Sequence, residues 1–301
     1  MKTPLLLSIE EIQEIELRLL ARSRSMVRGD RRSVFLGTAG YNLAGIRDWE
    51  PGDQARDVDW AKSALKDFAP LQIREKLEER TLDVVIAADA SASTRCGTAS
   101  ALIGKSIAAT IATIGFSAVF AQDRVGLVGF TETATHTEYP RGGKKQILRI
   151  LDQYQRMPSG LQNTEKLSLA RVFEGALKRP GVIAVVSDFL SDTASACIED
   201  LRSLQGRHDI FLVVVDATDV FRMPDLKTGW VRCQDAESGS IVVLSGQEIR
   251  RLVERVQQYQ SDIIGQAQRF GLDPVRVKGS VQEIADQLAE FFDQRQVRYR
   301  S

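Results

Sequence analysis

The stretch Leu82-Asp-Val-Val-Ile-Ala-Ala-Asp-Ala-Ser-Ala-Ser93 holds both the clearest strand signal in the chain and its densest polar constellation. Leu82 to Ala88 is a short, mostly apolar run rich in branched side chains. A run this short, apolar at successive positions, suits a strand buried on both faces, as in a parallel sheet covered by helices. The run stops at Asp89. In doubly wound sheets ligands collect beyond the carboxyl ends of the strands, near a switch in strand order. Asp89 would therefore enter that crevice, and Ser91 and Ser93 follow at alternate positions, so an extended turn could aim both hydroxyls the same way.

Working outward, the same alternation of short apolar strands and helices repeats. Helices are expected at roughly Ala99–Ala121, Lys144–Tyr154, Thr164–Lys178, Ala194–Leu204, Gln247–Phe270 and Val281–Asp293. Strands are expected at Asp123–Phe130, Val182–Ser187, Ile210–Val215 and Val275–Val277, with an antiparallel edge strand at Thr131–Tyr139. This order predicts an α/β fold, a doubly wound, mostly parallel, Rossmann-like sheet over residues 81–301. Residues 1–80 read as an N-terminal helical and irregular extension. Its helix starts at Ser8, with Glu11 at the capping-box position, and its buried side is assigned to Ile12, Ile15, Leu17, Leu19 and Leu20. Gly37–Pro51 is irregular or made of short strands, and Ile73–Arg80 is read as an exposed strand leading into the sheet. The part played by the region after Val220 is left open beyond its long helix and last strand.

Three strands end in aspartate: Asp89, Asp188 and Asp216. Thr164 stands just before a predicted helix. Asp89, Ser91, Ser93, Thr164 and Asp188 together offer two carboxylates and three hydroxyls, the hard oxygen donors that suit Mg²⁺ or Mn²⁺. Two carboxylates match a divalent charge and leave coordination positions for an outside carboxylate. The plain alternative is that each is an ordinary capping residue.

Composition excludes several classes. Lys+Arg and Asp+Glu are both 40, so the global basic field that drives nonspecific nucleic-acid binding is missing. Arg18, Arg22, Arg24, Arg28, Arg31 and Arg32 crowd one stretch, readable as a solvated helix end or as a patch for an acidic partner. Three cysteines, Cys96, Cys197 and Cys233, and two histidines, His136 and His208, fit neither a disulfide framework nor a zinc site and suit a reducing cytoplasm. Leu5–Leu7 is cut short by Glu10 and Glu11, so no signal core is expected. Ser106–Gln122, the longest uncharged run, reads as a buried central helix rather than a membrane span.

Asp-x-Ser-x-Ser after an apolar strand, a Thr before a later helix and an Asp ending the next strand resemble the metal-ion-dependent adhesion site of von Willebrand factor A domains. Asp123-Arg-Val-Gly-Leu-Val-Gly-Phe130 resembles that domain's second strand. Upstream, Arg47-Asp-Trp-Glu-Pro-Gly-Asp53 and Arg56-Asp-Val-Asp-Trp60 look like the signature of a bacterial family, domain of unknown function fifty-eight. In that family such motifs precede an A-type domain. The likeness runs from about Gly37 to Asp219. It departs in having Gln54 where a second acid is usual, and Thr94 where a Met commonly follows the serines. Trp60 is expected to anchor the N-terminal region onto the A domain, with Arg56 pairing Asp53 or Asp59.

The resemblance implies a non-enzymatic binding module in the cytoplasm without a membrane span. Its expected role is adaptor or chaperone-like partner of a MoxR-type AAA+ ATPase, capturing an acidic side chain of the ATPase or of a client at the metal. The alternatives are a Mg²⁺-dependent phosphoryl-transfer enzyme with Asp89 as nucleophile, a hydrolase built on Ser91 or Ser93, or a scaffold with a vestigial site. No Gly-x-Ser-x-Gly elbow or phosphate-binding loop supports the enzymes.

Overall fold

A computed structural model describes residues 6–26, 43–51, 53, 55, 58–65, 68, 70–76, 81–95, 97–98, 101–131, 135–157, 168–191, 193–221, 230–234 and 240–298. In chain order its elements begin with α1 (Ile9–Met26), β1 (Leu43–Asp48), α2 (Trp60–Leu65) and β2 (Gln72–Lys76). There follow β3 (Asp83–Asp89), β4 (Gly97–Thr98), β5 (Ala101–Leu102), α3 (Ile103–Phe120), β6 (Arg124–Phe130), β7 (Thr135–Arg141) and α4 (Lys144–Arg156). Next come α5 (Leu169–Ala176), β8 (Val182–Ser187), α6 (Ala194–Arg202), β9 (Asp209–Val215), β10 (Trp230–Gln234), β11 (Ile241–Ser245), α7 (Gly246–Arg269), β12 (Asp273–Val277) and α8 (Val281–Arg298).

The main sheet has the order β12-β9-β8-β3-β6-β7, parallel throughout except for antiparallel β7 at one edge. The mostly parallel α/β expectation therefore holds. β3 lies near the middle: the chain leaves it for β6 on one side and returns for β8 on the other, which makes the carboxyl end of β3 a switch point. Its side chains alternate. Val84, Ile86 and Ala88 pack into a core with α1, α3, α4 and α8, and Val85 and Ala87 into a second core with α5, α6 and α7.

Central to the first layer is α3, which carries a single charged residue, Lys105, ion-paired at 2.7 Å with Glu11 of α1. By length and composition it could cross a membrane, and 78% of it is buried inside the fold. α1 lies over α3 and α8. Its capping box forms as expected, Ser8 N–H donating to Glu11 Oε2 at 2.9 Å and Glu11 N–H to Ser8 Oγ at 3.2 Å. Arg18 and Arg22 reach Asp286 and Asp293 of α8, so these two serve packing between helices.

Several expectations are corrected. Leu17 is 65% exposed, because Ile15 and Leu19 already point at α3 and a neighbour between them turns outward. Trp60 is no anchor onto the sheet domain: it opens α2 and is 58% exposed, while the adjacent Asp59 caps that helix through Lys62 N–H. β2 is a strand, but it is not an exposed one leading into the main sheet: Ile73 is 3% exposed, and β2 pairs antiparallel with β1 in a separate two-stranded sheet. α3 starts at Ile103 rather than Ala99, since β4 and β5 form a short hairpin first. The β10–β11 hairpin was not foreseen. Arg56, like Arg28, Arg31 and Arg32, lies outside the described residues.

Candidate metal centre

Asp89 closes β3 and is buried, with three bonds holding it. Its Oδ1 accepts the Ser91 N–H at 2.8 Å and its Oδ2 accepts the Ser187 hydroxyl at 2.6 Å. Its carbonyl accepts the Tyr154 hydroxyl of α4 at 2.8 Å. Beyond it the chain turns tightly into a 3-10 segment, Ala92–Arg95. Thr94 pins that turn, its N–H and Oγ1 both donating to the Ser91 carbonyl at 3.2 and 2.7 Å. The hydroxyl at this position thus has a job that a Met could not do. The turn is also pressed from below: a Cβ on Gly104 at the start of α3 would stand 2.8 Å from the Thr94 carbonyl oxygen.

Ser91 and Ser93 come together as the spacing implied, their Oγ atoms 2.8 Å apart. Asp188 follows β8 directly and is 2% exposed, its Oδ1 accepting the Leu190 N–H at 3.1 Å. Register puts Ala88 opposite Val186, so Asp188 emerges one residue past the Asp89–Ser187 contact. The next residue, Phe189, has φ +54°, a left-handed conformation that costs a side-chain-bearing residue roughly 1–2 kcal/mol. It is held there by burial and by a 2.8 Å bond from its N–H to Ser187 Oγ. Thr164 lies outside the described residues. Four of the five proposed donors are therefore described, three of them on one turn and Asp188 on the adjoining strand end.

Sequence reasoning missed three supporting residues. Ser187 ties Asp89 to the backbone after β8, and the only signal for it was a hydroxyl closing an otherwise apolar strand. Tyr154 comes from α4. Gln260 of α7, fully buried, donates through Nε2 to the Asp188 and Val215 carbonyls, both at 2.9 Å. The third strand-end aspartate, Asp216, is occupied locally: its Oδ1 accepts from the N–H and hydroxyl of Thr218 at 2.8 and 2.6 Å.

Burial pushes the Asp89 carboxyl above its ordinary range, and the bonds from Ser187 and Ser91 only partly oppose this. No Lys or Arg among the described residues forms an ion pair with Asp89. A buried carboxylate with hydroxyls beside it and no cation is the donor set a small hard cation completes. Two cis ligands of an octahedral Mg²⁺ at about 2.1 Å lie ~3.0 Å apart, close to the 2.8 Å Ser91–Ser93 separation, so these residues fit such an ion. Among the described residues no three His, Cys, Asp or Glu side chains form a cage, so an ion here would rest on hydroxyls beside two carboxylates.

Neither histidine serves the serines. His208 sits before β9, at the opposite end of the sheet, and His136 on β7 is two strands away from β3, paired in register with Gly129. The Cys197 thiol on α6 is pushed up to about 12 by burial and by Asp200 and Asp89, which leaves it without nucleophilic character at neutral pH. Cys197 and Cys233 are both free thiols, and Cys96 lies outside the described residues.

A family model described as protein of unknown function DUF58 matches residues 45–262, further toward the C-terminus than the motifs reached. An uncharacterized protein of Mycobacterium tuberculosis is 27% identical over 238 residues, covering 76% of this chain and 71% of the relative. A Mycobacterium bovis counterpart matches equally. Among solved structures, an aerotolerance-related membrane protein from Bacteroides fragilis aligns at TM-score 0.46 and 15% identity, over 72% of this chain and 99% of that one. BatB from Bacteroides thetaiotaomicron aligns at TM-score 0.42 and 14% identity, over 71% and 99%. Nothing about function follows from likenesses so distant.

Proposed function

This chain belongs to the family of proteins of unknown function DUF58, and from there we propose that it is a metal-dependent protein-binding module with a von Willebrand factor A-type domain. In this reading Asp89, Ser91, Ser93, Thr164 and Asp188 hold Mg²⁺, or Mn²⁺, and the bound ion takes a carboxylate from a partner protein. The observation that supports it most is the pair of hydroxyls on Ser91 and Ser93, 2.8 Å apart on a pinned turn next to the buried Asp89 carboxyl. Two protein carboxylates neutralise a divalent ion on paper, but hydroxyls add no charge. An incoming carboxylate therefore meets no net negative charge and is held by an open coordination position on the ion.

The partner proposed is a MoxR-type AAA+ ATPase or one of its clients, and the location the cytoplasm. Recognition by coordination needs no general base. This agrees with serines that bond each other rather than an imidazole. The test is co-purification of tagged protein with and without EDTA, alongside Asp89→Ala. The proposal expects a partner, identified by mass spectrometry, that is lost in both arms while circular dichroism reports an intact fold. A partner set indifferent to chelator and substitution would overturn it.

A further inference from the structure

Gln260 marks the level at which β8 and β9 end, because its amide reaches the carbonyls of Asp188 and Val215. α7 begins at Gly246. Residues 246–259 therefore continue past the carboxyl edge of the sheet, and at 1.5 Å per residue that is about 20 Å of helix. Its inner side is anchored by the buried Ile249 and Val256. At its far end Ser245 forms a full capping box with Glu248, joining the β10–β11 hairpin to the helix without a linker. Helix and hairpin make an arm on the same edge as the candidate metal centre.

One face of the hairpin is open. The register places Trp230, Arg232, Val243 and Ile241 together on it. Trp230 is 71% exposed, Ile241 56% and Val243 49%. On the opposite face Val231, Cys233 and Leu244 are half-buried and Val242 is 47% exposed, so the Trp230 side is the more open of the two. A two-stranded sheet is marginal alone, and an exposed aromatic and branched surface of this kind marks a contact with another molecule. Charge narrows the occupant. Arg232 stands in the middle of the apolar face, and on the projecting half of α7 the exposed Arg250, Arg251 and Arg255 outnumber the exposed Glu248 and Glu254. Arg251 faces Glu248, but among the described residues no ion pair engages Arg232, Arg250 or Arg255. Pairing with a second copy of this chain would set arginine against arginine across a twofold axis.

We propose that the arm docks an acidic segment of a partner protein, laid across the Trp230–Val243–Ile241 face, with its apolar side chains on that face and its carboxylates against Arg232 and the α7 arginines. This contact goes beyond the metal-centred reading and needs no metal. The probe is a fluorescein-labelled peptide of about eight residues alternating Ile or Val with Asp, with a control in which Lys replaces Asp. Fluorescence anisotropy should show binding of the acidic peptide only. Affinity should fall about tenfold in Trp230→Thr/Ile241→Thr and about fivefold in Arg232→Glu, each checked for fold by circular dichroism, and should not change with EDTA. A Trp49→Phe/Trp60→Phe variant leaves Trp230 as the sole tryptophan, and its emission should shift to shorter wavelength on binding, which keeps the test open should the surface variants misfold. No binding, equal binding of the Lys peptide, or a silent Trp230 would overturn the proposal. Self-association abolished by Trp230→Thr would assign the face to a second copy instead. Binding lost in EDTA yet indifferent to the arm variants would assign the peptide to the metal centre, overturning this inference while leaving the proposed function standing.

Discussion

Replacing Asp89 by Asn separates a structural role from a metal-binding one, because the two make opposite predictions. In the metal-free protein the Asp89 carboxylate is buried, its pKa is raised by that burial, and two donors, Ser91 N–H and Ser187 Oγ–H, are its support. Asn keeps the shape and one acceptor for the Ser91 N–H. It loses the charge-assisted bond from Ser187, about 1.5–3 kcal/mol by analogy with other bonds to charged groups. Against this, it removes a buried charge with no cationic partner among the described residues. The two effects oppose, so stability in EDTA should lie within about 1 kcal/mol of the parent. With Mg²⁺ at a hundred times its dissociation constant the parent should gain about 2.7 kcal/mol, and the Asp89→Asn variant, short of a carboxylate, should gain almost none. Urea unfolding followed by far-UV circular dichroism, with EDTA and with MgCl₂, measures all four values. A Mg²⁺ gain that survives the substitution, or a parent without any gain, refutes the reasoning.

Ser187→Ala should cost about 2–4 kcal/mol in urea unfolding, since it removes a bond to Asp89 Oδ2 and leaves the buried Phe189 N–H unpaired; a loss below about 0.5 kcal/mol would mean that water or a shift of the turn takes its place. Gly104→Ala puts a methyl 2.8 Å from the Thr94 carbonyl, so the serine turn must move and Mg²⁺ affinity by isothermal titration should fall about fivefold or more. His208 is buried with both ring nitrogens unpaired, and burial with Arg207 nearby lowers its pKa. Between the lowered folded value and the unfolded value near 6.5 the unfolded chain binds more protons, so stability should drop as pH falls through that window. His208→Gln should flatten this part of the profile, and an unchanged slope would exonerate the residue. Iodoacetamide at pH 8 should label Cys197 far more slowly in the folded protein than in urea, read by peptide mass, because burial pushes its thiol up to about 12.

The sheet was legible because its signals are local. β3 and β8 each contain an apolar run, Val84–Ala88 and Val182–Val186, and β7 reads as an edge strand because Thr-rich sequence follows directly on β6. Boundaries moved where local signals competed. Ala99–Leu102 lies among helix-forming residues, yet its described part, β5, pairs with β4, and α3 starts only where Gly104 can approach the Thr94 carbonyl. Helix periodicity assigned Leu17 to the core, but whether a flank residue is covered depends on the neighbouring element. α8, the neighbour of α1, arrives more than 260 residues later in the chain, as the Arg18–Asp286 pair shows. Trp60 taught the converse: a large aromatic next to a buried, helix-capping Asp59 need not be buried itself.

The site divides the same way. Asp89, Ser91 and Ser93 were visible because one turn presents all of them. What orients them was not, because it comes from far along the chain: Ser187 from β8, Tyr154 from α4, and Gln260 from α7 acting through the Asp188 carbonyl. That last contact has a consequence for the arm. Gln260 is a single side chain bonded both to the backbone of a proposed ligand and to the helix whose other half bears the hairpin, so a tilt of α7 cannot leave the Asp188 carbonyl where it is. Two sites that share such a rigid element are coupled only if it has two arrangements. Gln260→Leu, which fills the space but bonds neither carbonyl, should weaken Mg²⁺ binding at the turn without touching a ligand. If titration gives the parent's affinity, α7 is a passive stalk, and the metal centre and the arm act as independent surfaces.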